Sequence, residues 1–457
     1  MEEKAMEKPN VLFIPIDDLR PQLNCYGQTQ MVSPHMDELA GEGVIFQNAY
    51  CQVPVCGATR ACLLTGVRPN RERFVTYHAW ADKDLPGALT LPEHFRKHGY
   101  TTISNGKVFH HRTDTADRSW SEVPWHPGTR GNWRNYLLQE NQAIAATNDG
   151  RGPAFECADV PDNAYIDGQI ADRAIQDLHR LKDAGEPFFL AVGFLKPHLP
   201  FNAPKRYWDL YKRAKIDLAD NPFRPRGAPD AAMHNWGELR AYFNIPAKGS
   251  LPDEMARTLI HGYYAATSFT DAQVGRLLHE LDRLGLRENT VVVLWGDHGW
   301  QLGEHGLWCK HCNFNTSLNA PLIVSAPDFK GEMMSNALVE FVDVYPTLCE
   351  LAGLPLPDHL EGTSFVPLLE HPNRQWKKAA FSRYFAGDSI RTDQYLYTEW
   401  TNNEGDVTAR MLYDHKIDPK ENENISEKSE NQELVAQLSK TLRDGWQGVL
   451  PDIPFTL

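Results

Sequence analysis

The chain contains no apolar run of the ~18 residues that a membrane-spanning helix requires. Its opening, MEEKAMEKPN, lacks the apolar stretch of a signal peptide. Two locations stay open: the cytoplasm, or the periplasm or exterior after a leader is trimmed. The charged start running straight into a strand fits the second. Cysteine is sparse: Cys25, Cys51, Cys56, Cys62, Cys157, Cys309, Cys312 and Cys349 are the eight in 457 residues, too few for a disulfide scaffold. Positive charge is in deficit, 46 Lys+Arg against 60 Asp+Glu, a formal net charge of -14. That argues against a nucleic-acid partner. It leaves room for a small anionic substrate, because charges beyond a Debye length of ~8 Å are screened from a local cluster of cations. No internal repeat or low-complexity tract is present.

What is present is ordinary globular composition, 42% hydrophobic and 23% charged, with length for two or three domains and a large core. Strand-like and helix-like runs alternate. Val11 to Ile16, Thr101 to Ser104, Pro187 to Phe194, Thr290 to Trp295 and Pro321 to Ser325 read as strands. Leu91 to His98, Gln169 to Lys182 and Tyr263 to Leu284 read as helices. This predicts an α/β fold with a largely parallel sheet, its strands buried on both faces. Residues 110–160 and 196–255 read as long loops rich in Pro, Gly, Trp and Asn. Past about Pro372 come four short strands (Ala379 to Tyr384, Ser389 to Arg391, Tyr395 to Trp400, Arg410 to Tyr413) and a helix, Asn431 to Gly445. The expected division is a catalytic α/β domain, 1–372, and an antiparallel C-terminal subdomain, 373–457.

In a parallel sheet, ligands bind beyond the carboxyl ends of the strands. Four expected strands run into polar chemistry there: Asp17-Asp18, Asn105 to His110, Lys196-Pro197-His198 and Asp297-His298. Asp17, Asp18 and Asp297 can hold one hard divalent cation. The alternative is a set of salt bridges to Arg60 and Lys107. Cys56-Gly57-Ala58-Thr59-Arg60 reads as a loop entering a helix, whose N-terminus favours an anion. Cys56 is there either a packed thiol or a nucleophile. Cys309 and Cys312 form a lone CxxC pair without a second, closer to coincidence than to a zinc site. Trp120 to Trp133 holds aromatic and imidazole rings that either line a sugar pocket or pack a loop.

With these motifs on one chain, the sequence resembles the type I sulfatases of the alkaline phosphatase superfamily, and within them the iduronate-2-sulfatase branch. The family signature is matched by Cys56-Gly57-Ala58-Thr59-Arg60 followed by Leu64-Thr65-Gly66. The branch is matched by Asp17 to Pro21 with Cys25-Tyr26-Gly27, Gly106 to His110, Lys196 to Phe201, Asp297 to Gly306 with Lys310, Asp343 to Leu348 and Ser389 to Thr392. The similarity spans nearly the whole chain.

The resemblance implies that a formylglycine-generating enzyme oxidises Cys56 to Cα-formylglycine, whose hydrate attacks sulfur. It implies that Asp17, Asp18, Asp297, His298 and residue 56 hold one divalent cation, Ca²⁺, and that Arg60, Lys107, His110, His198 and Lys310 surround the sulfate. His198 is assigned as general acid toward the leaving sugar and His110 as the base that releases sulfate. Trp300, Lys107, His198 and Lys310 are expected to bind substrate, with Arg20, Arg391 and Lys196 as candidates for a sugar carboxylate. The chain departs from the family at Ala58, where proline is commoner, at Thr59, where serine is commoner, and at His298, where many sulfatases carry asparagine. Only Phe385 to Asp388 stands where the human-type enzyme has a long insertion. The expected activity is exo-removal of a 2-O-sulfate from a uronic acid of a glycosaminoglycan or of an algal polysaccharide such as ulvan. A phosphodiesterase or phosphonate hydrolase on the same fold, and a glycan-binding protein without catalysis, are the competing functions.

Overall fold

A computed structural model describes residues 8–128, 133–329 and 331–451. Seven strands form the main sheet: β1 (Asn10–Ile16), β2 (Val44–Tyr50), β3 (Thr101–Gly106), β4 (Phe188–Gly193), β5 (Thr290–Gly296), β6 (Leu322–Ser325) and β7 (Met333–Glu340), in the order β7-β2-β6-β5-β1-β4-β3. Every pairing is parallel except those of β6, which runs antiparallel to β2 and β5.

β1 is buried along its whole length, so alternate side chains feed two cores. Val11 and Phe13 face one side, with Leu63, Leu64, Phe95 and Leu348. Leu12, Ile14 and Ile16 face the other, with Ile170, Leu178, Leu277 and Leu281. The first layer includes α1 (Cys56–Thr65) and α2 (Leu91–Lys97); the second includes α3 (Ile166–Ala184) and α4 (Asp253–Arg283). α4 begins well before the expected Tyr263, because Pro252-Asp253-Glu254 supplies a helix start with acids in its first turn. The expected long loops also contain short elements, among them Phe155–Ala158 paired in parallel with Phe201–Pro204.

The second sheet is antiparallel: β8 (Ala380–Tyr384), β9 (Gly387–Arg391), β10 (Tyr395–Thr401) and β11 (Val407–Asp414), with α5 (Gln432–Asp444) packed against it. It sits on the segment leading into α1. Arg383 N donates to Gln52 O at 2.7 Å, and Ser382 Oγ to Cys51 O at 2.5 Å. Among the described residues no helix is long and apolar enough to cross a membrane.

Candidate active site

The register of the sheet assembles the site. Ile16 of β1 pairs with Gly296 of β5, so the next residues, Asp17 and Asp297, emerge side by side. Asp18 follows at φ 61°, a left-handed turn that brings its N–H to Asp297 Oδ1 at 3.0 Å. Gly106 of β3 pairs with Gly193 of β4, and a Cβ at Gly193 would lie 2.0 Å from Lys107 O. Glycine there lets the β3 chain pass close and deliver Lys107 and His110 to the same end of the sheet. β4 runs on to His198.

Cys56 is the first residue of α1, and its Sγ lies 3.3 Å from His110 Nδ1. Arg60, one turn later and fully buried, donates through Nε to Asp297 Oδ2 at 2.9 Å and through Nη2 to Asp17 Oδ1 at 3.5 Å. Its Nη1 donates to Lys107 O and Val108 O. The Lys107 ammonium pairs with Asp17. Lys310 donates to both oxygens of Asp18, at 2.9 and 3.0 Å, and to Glu238 Oε1 at 3.1 Å. His198 Nε2 lies 3.2 Å from Glu238 Oε1 and 3.8 Å from Asp18 Oδ2.

Cys56, Asp17, Lys107, His110, His198 and Lys310 line one cavity of about 650 Å³. Arg112, His126, Trp133, Arg134, Arg151, Glu238 and Tyr242 complete much of its wall. The carboxylates lie at its floor: Asp17, Asp18 and Asp297 are at most 1% exposed. Burial raises Asp18 to about 8 against the pull of His198 and Lys310. Burial, reinforced by the Lys107 ammonium, lowers the His110 imidazole to about 3, so the ring is neutral at neutral pH.

These residues fit a divalent cation. Two groups of donor atoms, Cys56/Asp297/His298 and Asp17/Asp18/His198, each lie within 4.8 Å of one another. His298 donates its Nδ1 side to Gly299 O at 2.9 Å, leaving Nε2 buried, without a hydrogen bond, and 3.4 Å from Asp18 Oδ1. The salt bridges weighed as the alternative are there too, through Arg60 and Lys107. They leave four carboxylates, Glu238 included, facing three permanent cations.

Other expectations need correction. Trp300, expected to bind substrate, is 1% exposed and does not line the cavity. Its ring packs in the core beneath the site, near Tyr263 and Phe201, with Lys310 Nζ 4.9 Å from its centre. The carboxylate candidates are engaged elsewhere: Arg20 with Glu304 at 2.8 Å, Arg391 with the Tyr50 hydroxyl at 3.0 Å, and buried Lys196 with the carbonyls of His198 and Pro200. Of the loop aromatics, Trp133 lines the cavity while Trp120 packs in the core. Cys309 and Cys312 are buried, with Cys312 Sγ 3.1 Å from Ser317 Oγ, and belong to no cluster of metal-ligating side chains among the described residues. Glu238 was not singled out from the sequence, since it ends no strand and belongs to no motif. It enters the site only because the loop carrying Gly237–Arg240 folds over Lys310.

The Sulfatase family profile matches residues 9–354, and an N-sulphoglucosamine sulphohydrolase C-terminal profile matches residues 303–447. The chain is 34% identical to human iduronate 2-sulfatase, covering 94% of this chain and 93% of that protein. It is 29% identical to an ulvan-active sulfatase of Formosa agariphila, covering 96% and 81%. Its fold matches, at a TM-score of 0.76 and 23% identity over 96% of this chain and 97% of the other, a protein solved in complex with its substrate D-glucosamine-2-N,6-O-disulfate. Sulfatases generally use a formylglycine and a divalent metal, and the place of Cys56 at the start of α1 and the donor set around it are compatible with both. By sequence, fold and site, the chain belongs to the sulfatase family and is a sulfuric ester hydrolase, similar to the iduronate 2-sulfatases.

Proposed function

We propose that the enzyme removes a 2-O-sulfate from a terminal uronic acid of a glycosaminoglycan or of an algal polysaccharide such as ulvan. Residue 56 serves as formylglycine, made by a formylglycine-generating enzyme. The cation is calcium, held by Asp17, Asp18, Asp297 and His298 together with residue 56, because hard carboxylate oxygens dominate the donor set. The formylglycine hydrate supplies the nucleophilic hydroxyl, and the cation supplies positive charge beside the sulfate.

The chain's own side chains do the rest. Lys107 and Lys310 bind sulfate oxygens, each held in place by a carboxylate of the floor. Arg60, locked by Asp297 and two carbonyls, fixes the first turn of α1 and so the direction of residue 56. His198, on the cavity wall, gives a proton to the leaving sugar oxygen, and Glu238 holds it in position. His110, neutral and beside residue 56, takes the proton that frees sulfate.

The uronate assignment is carried by one observation. Arg134 lines the same cavity, and its Nε is buried with no hydrogen-bond partner among the described residues. The same guanidinium is half-buried and lines the cavity, so a sugar carboxylate can pair with the nitrogens it presents there. Exo action is favoured because the net charge of -14 disfavours gripping a long polyanion, while a cationic pocket accepts one terminal sugar. Such glycans lie outside the cytoplasm, which favours a periplasmic or secreted location over a cytoplasmic one. The division at about residue 372 is kept, eight residues before β8 opens the second sheet.

The test is a paired assay on a 2-O-sulfated uronate disaccharide and its carboxyl-reduced analogue. Faster turnover of the carboxylate form is expected. Equal rates, or preference for a 6-O-sulfated hexosamine, would overturn the uronate assignment and leave the enzyme a sulfatase.

A further inference from the structure

Beside the main cavity lies a smaller groove of about 250 Å³. The two share Val55, Tyr77, Gly237 and His311, and Val55 directly precedes residue 56, so the groove begins next to the reacting centre. Its chemistry differs from that of the cavity. Among the described residues, none of its lining side chains is Lys, Arg, Asp or Glu. Three of its lining residues are aromatic: Tyr77, Tyr384 and Phe385. Tyr77 and Phe385 are each 52% exposed, an unusual setting for two large rings flanking one groove.

Phe385 belongs to the two-residue turn between β8 and β9, at φ 48°. A bulky side chain in the left-handed region is strained, and such strain is kept where the residue's direction matters. The ring of Tyr384 braces it edge-on, centroids 4.7 Å apart. Burial lowers His234 to about 4 and His311 to about 3, so both imidazoles are neutral at neutral pH.

We infer that this groove is the subsite for an uncharged sugar adjoining the sulfated residue, packed against the exposed rings of Tyr77 and Phe385. Aromatic faces receive the apolar C–H face of a pyranose, and the neutral His and Asn side chains can exchange hydrogen bonds with its hydroxyls. A second sulfate on that sugar would lose hydration without meeting a cation. The inference rests on the sulfatase assignment and deepens the proposed substrate: a sulfated sugar linked to an unsulfated one.

The experiment compares kcat/KM on three compounds: a 2-O-sulfated uronate methyl glycoside, the same uronate linked to unsulfated N-acetylhexosamine, and that disaccharide sulfated on the hexosamine. The unaltered enzyme is expected to prefer the second. Phe385→Ala, which keeps an L-residue at the turn, is expected to lower kcat/KM on the second about tenfold, equivalent to about 1.4 kcal/mol. Its rate on the methyl glycoside should be unchanged. Phe385→Trp should restore the preference. Equal loss on methyl glycoside and disaccharide, no loss on either, or preference for the doubly sulfated compound would overturn the subsite. If no 2-O-sulfated uronate is turned over, the uronate proposal fails separately. The same comparison is then made with the mono- and disaccharide of whichever sulfated sugar is hydrolysed, and the same outcomes decide.

Discussion

Cys56 Sγ stands 3.3 Å from Nδ1 of His110, although 53 residues separate them in sequence. One is held by the first turn of α1, the other by the segment after β3, and the Arg60 guanidinium ties the two by donating to the carbonyls of Lys107 and Val108. The proposed nucleophile and the proposed base are therefore tied together by one buried guanidinium.

His110→Ala is expected to slow turnover by about 10²–10⁴, the range for loss of a general base. Cys56→Ala should abolish turnover and leave the melting temperature nearly unchanged, because its neighbours Gly57 and Ala58 are small. Peptide mass spectrometry of active enzyme should show residue 56 with the mass deficit of thiol-to-aldehyde conversion. Fully active protein carrying only the thiol would contradict the mechanism.

Glu238 lies 3.2 Å from His198 Nε2. If it holds the general acid in place, its loss matters most when the leaving group needs a proton. Glu238→Gln should lower kcat about tenfold on a sugar sulfate and scarcely at all on nitrophenyl sulfate, whose leaving group departs unprotonated. His198→Ala should show the same contrast, larger. An equal fall on both substrates would mean that Glu238 only supports the structure.

Asp297 joins the proposed cation site to Arg60, both buried. Asp297→Ala should remove most activity and destabilise the fold by up to about 3–5 kcal/mol, since it takes from a buried guanidinium its nearer carboxylate and leaves only Asp17 at 3.5 Å and two carbonyls. Exhaustive chelation should remove activity without that full loss of stability, and added calcium should restore it. Full activity in protein that elemental analysis shows to be metal-free would rule out the cation site.

How far the sequence reaches is set by which residues carry a local signal. The ends of β1, β4 and β5 were legible because each is an apolar run stopped by charge or imidazole, whereas β3, with Ile103 its one apolar residue, was legible from the helix before it and the Lys107 to His110 segment after it. β2 and β7 were not. Gln47 and Asn48 interrupt the first, and the edge strand Met333–Glu340 shows solvent-facing residues through its first half. Lys107 and Lys310 were placed by motif, whereas Arg134 and Glu238 reach the cavity through long loops whose path has no periodicity to read. Trp300 misled for the opposite reason. It stands within a site motif, yet the chain after Gly299 turns its ring inward under Lys310.

A separate ionic network joins the two sheets and gives a pH test away from the catalytic cavity. Glu340, at the end of β7, receives Arg68 at 2.5 and 2.6 Å and Lys377 at 2.9 Å. Burial alone would raise its carboxyl, but these two cations outweigh that and hold it at about 2. The folded value is depressed, so the stabilisation is present above the unfolded value of about 4.3 and is lost as pH falls through about 2. The gross effect is roughly 3 kcal/mol. Asp343, raised by burial beside the same Lys377, offsets part of it. Denaturant unfolding from pH 6 to pH 2 should show Glu340→Gln less stable at pH 6 and converging on the unaltered protein toward pH 2. Parallel curves would mean that the network contributes no linkage.

The last prediction separates recognition of the carboxylate from recognition of the sulfate. Arg134 stacks its guanidinium over Trp133, 4.4 Å from the ring centre, and lines the cavity. Lys310 instead meets Asp18 and Glu238, at the end of the same cavity proposed to receive the sulfate. Arg134→Ala should therefore lower kcat/KM about tenfold or more on a 2-O-sulfated uronate, as a charge-assisted hydrogen bond contributes about 1.5–3 kcal/mol. On the carboxyl-reduced analogue the same variant should change little, because the neutral alcohol gains less from the cation. Lys310→Ala should depress both substrates alike, since both carry the sulfate. In a double-mutant cycle across enzyme and substrate, the coupling should then appear for Arg134 with the carboxylate and be absent for Lys310. Coupling at Lys310, or none at either residue, would show that Arg134 does not read the uronate.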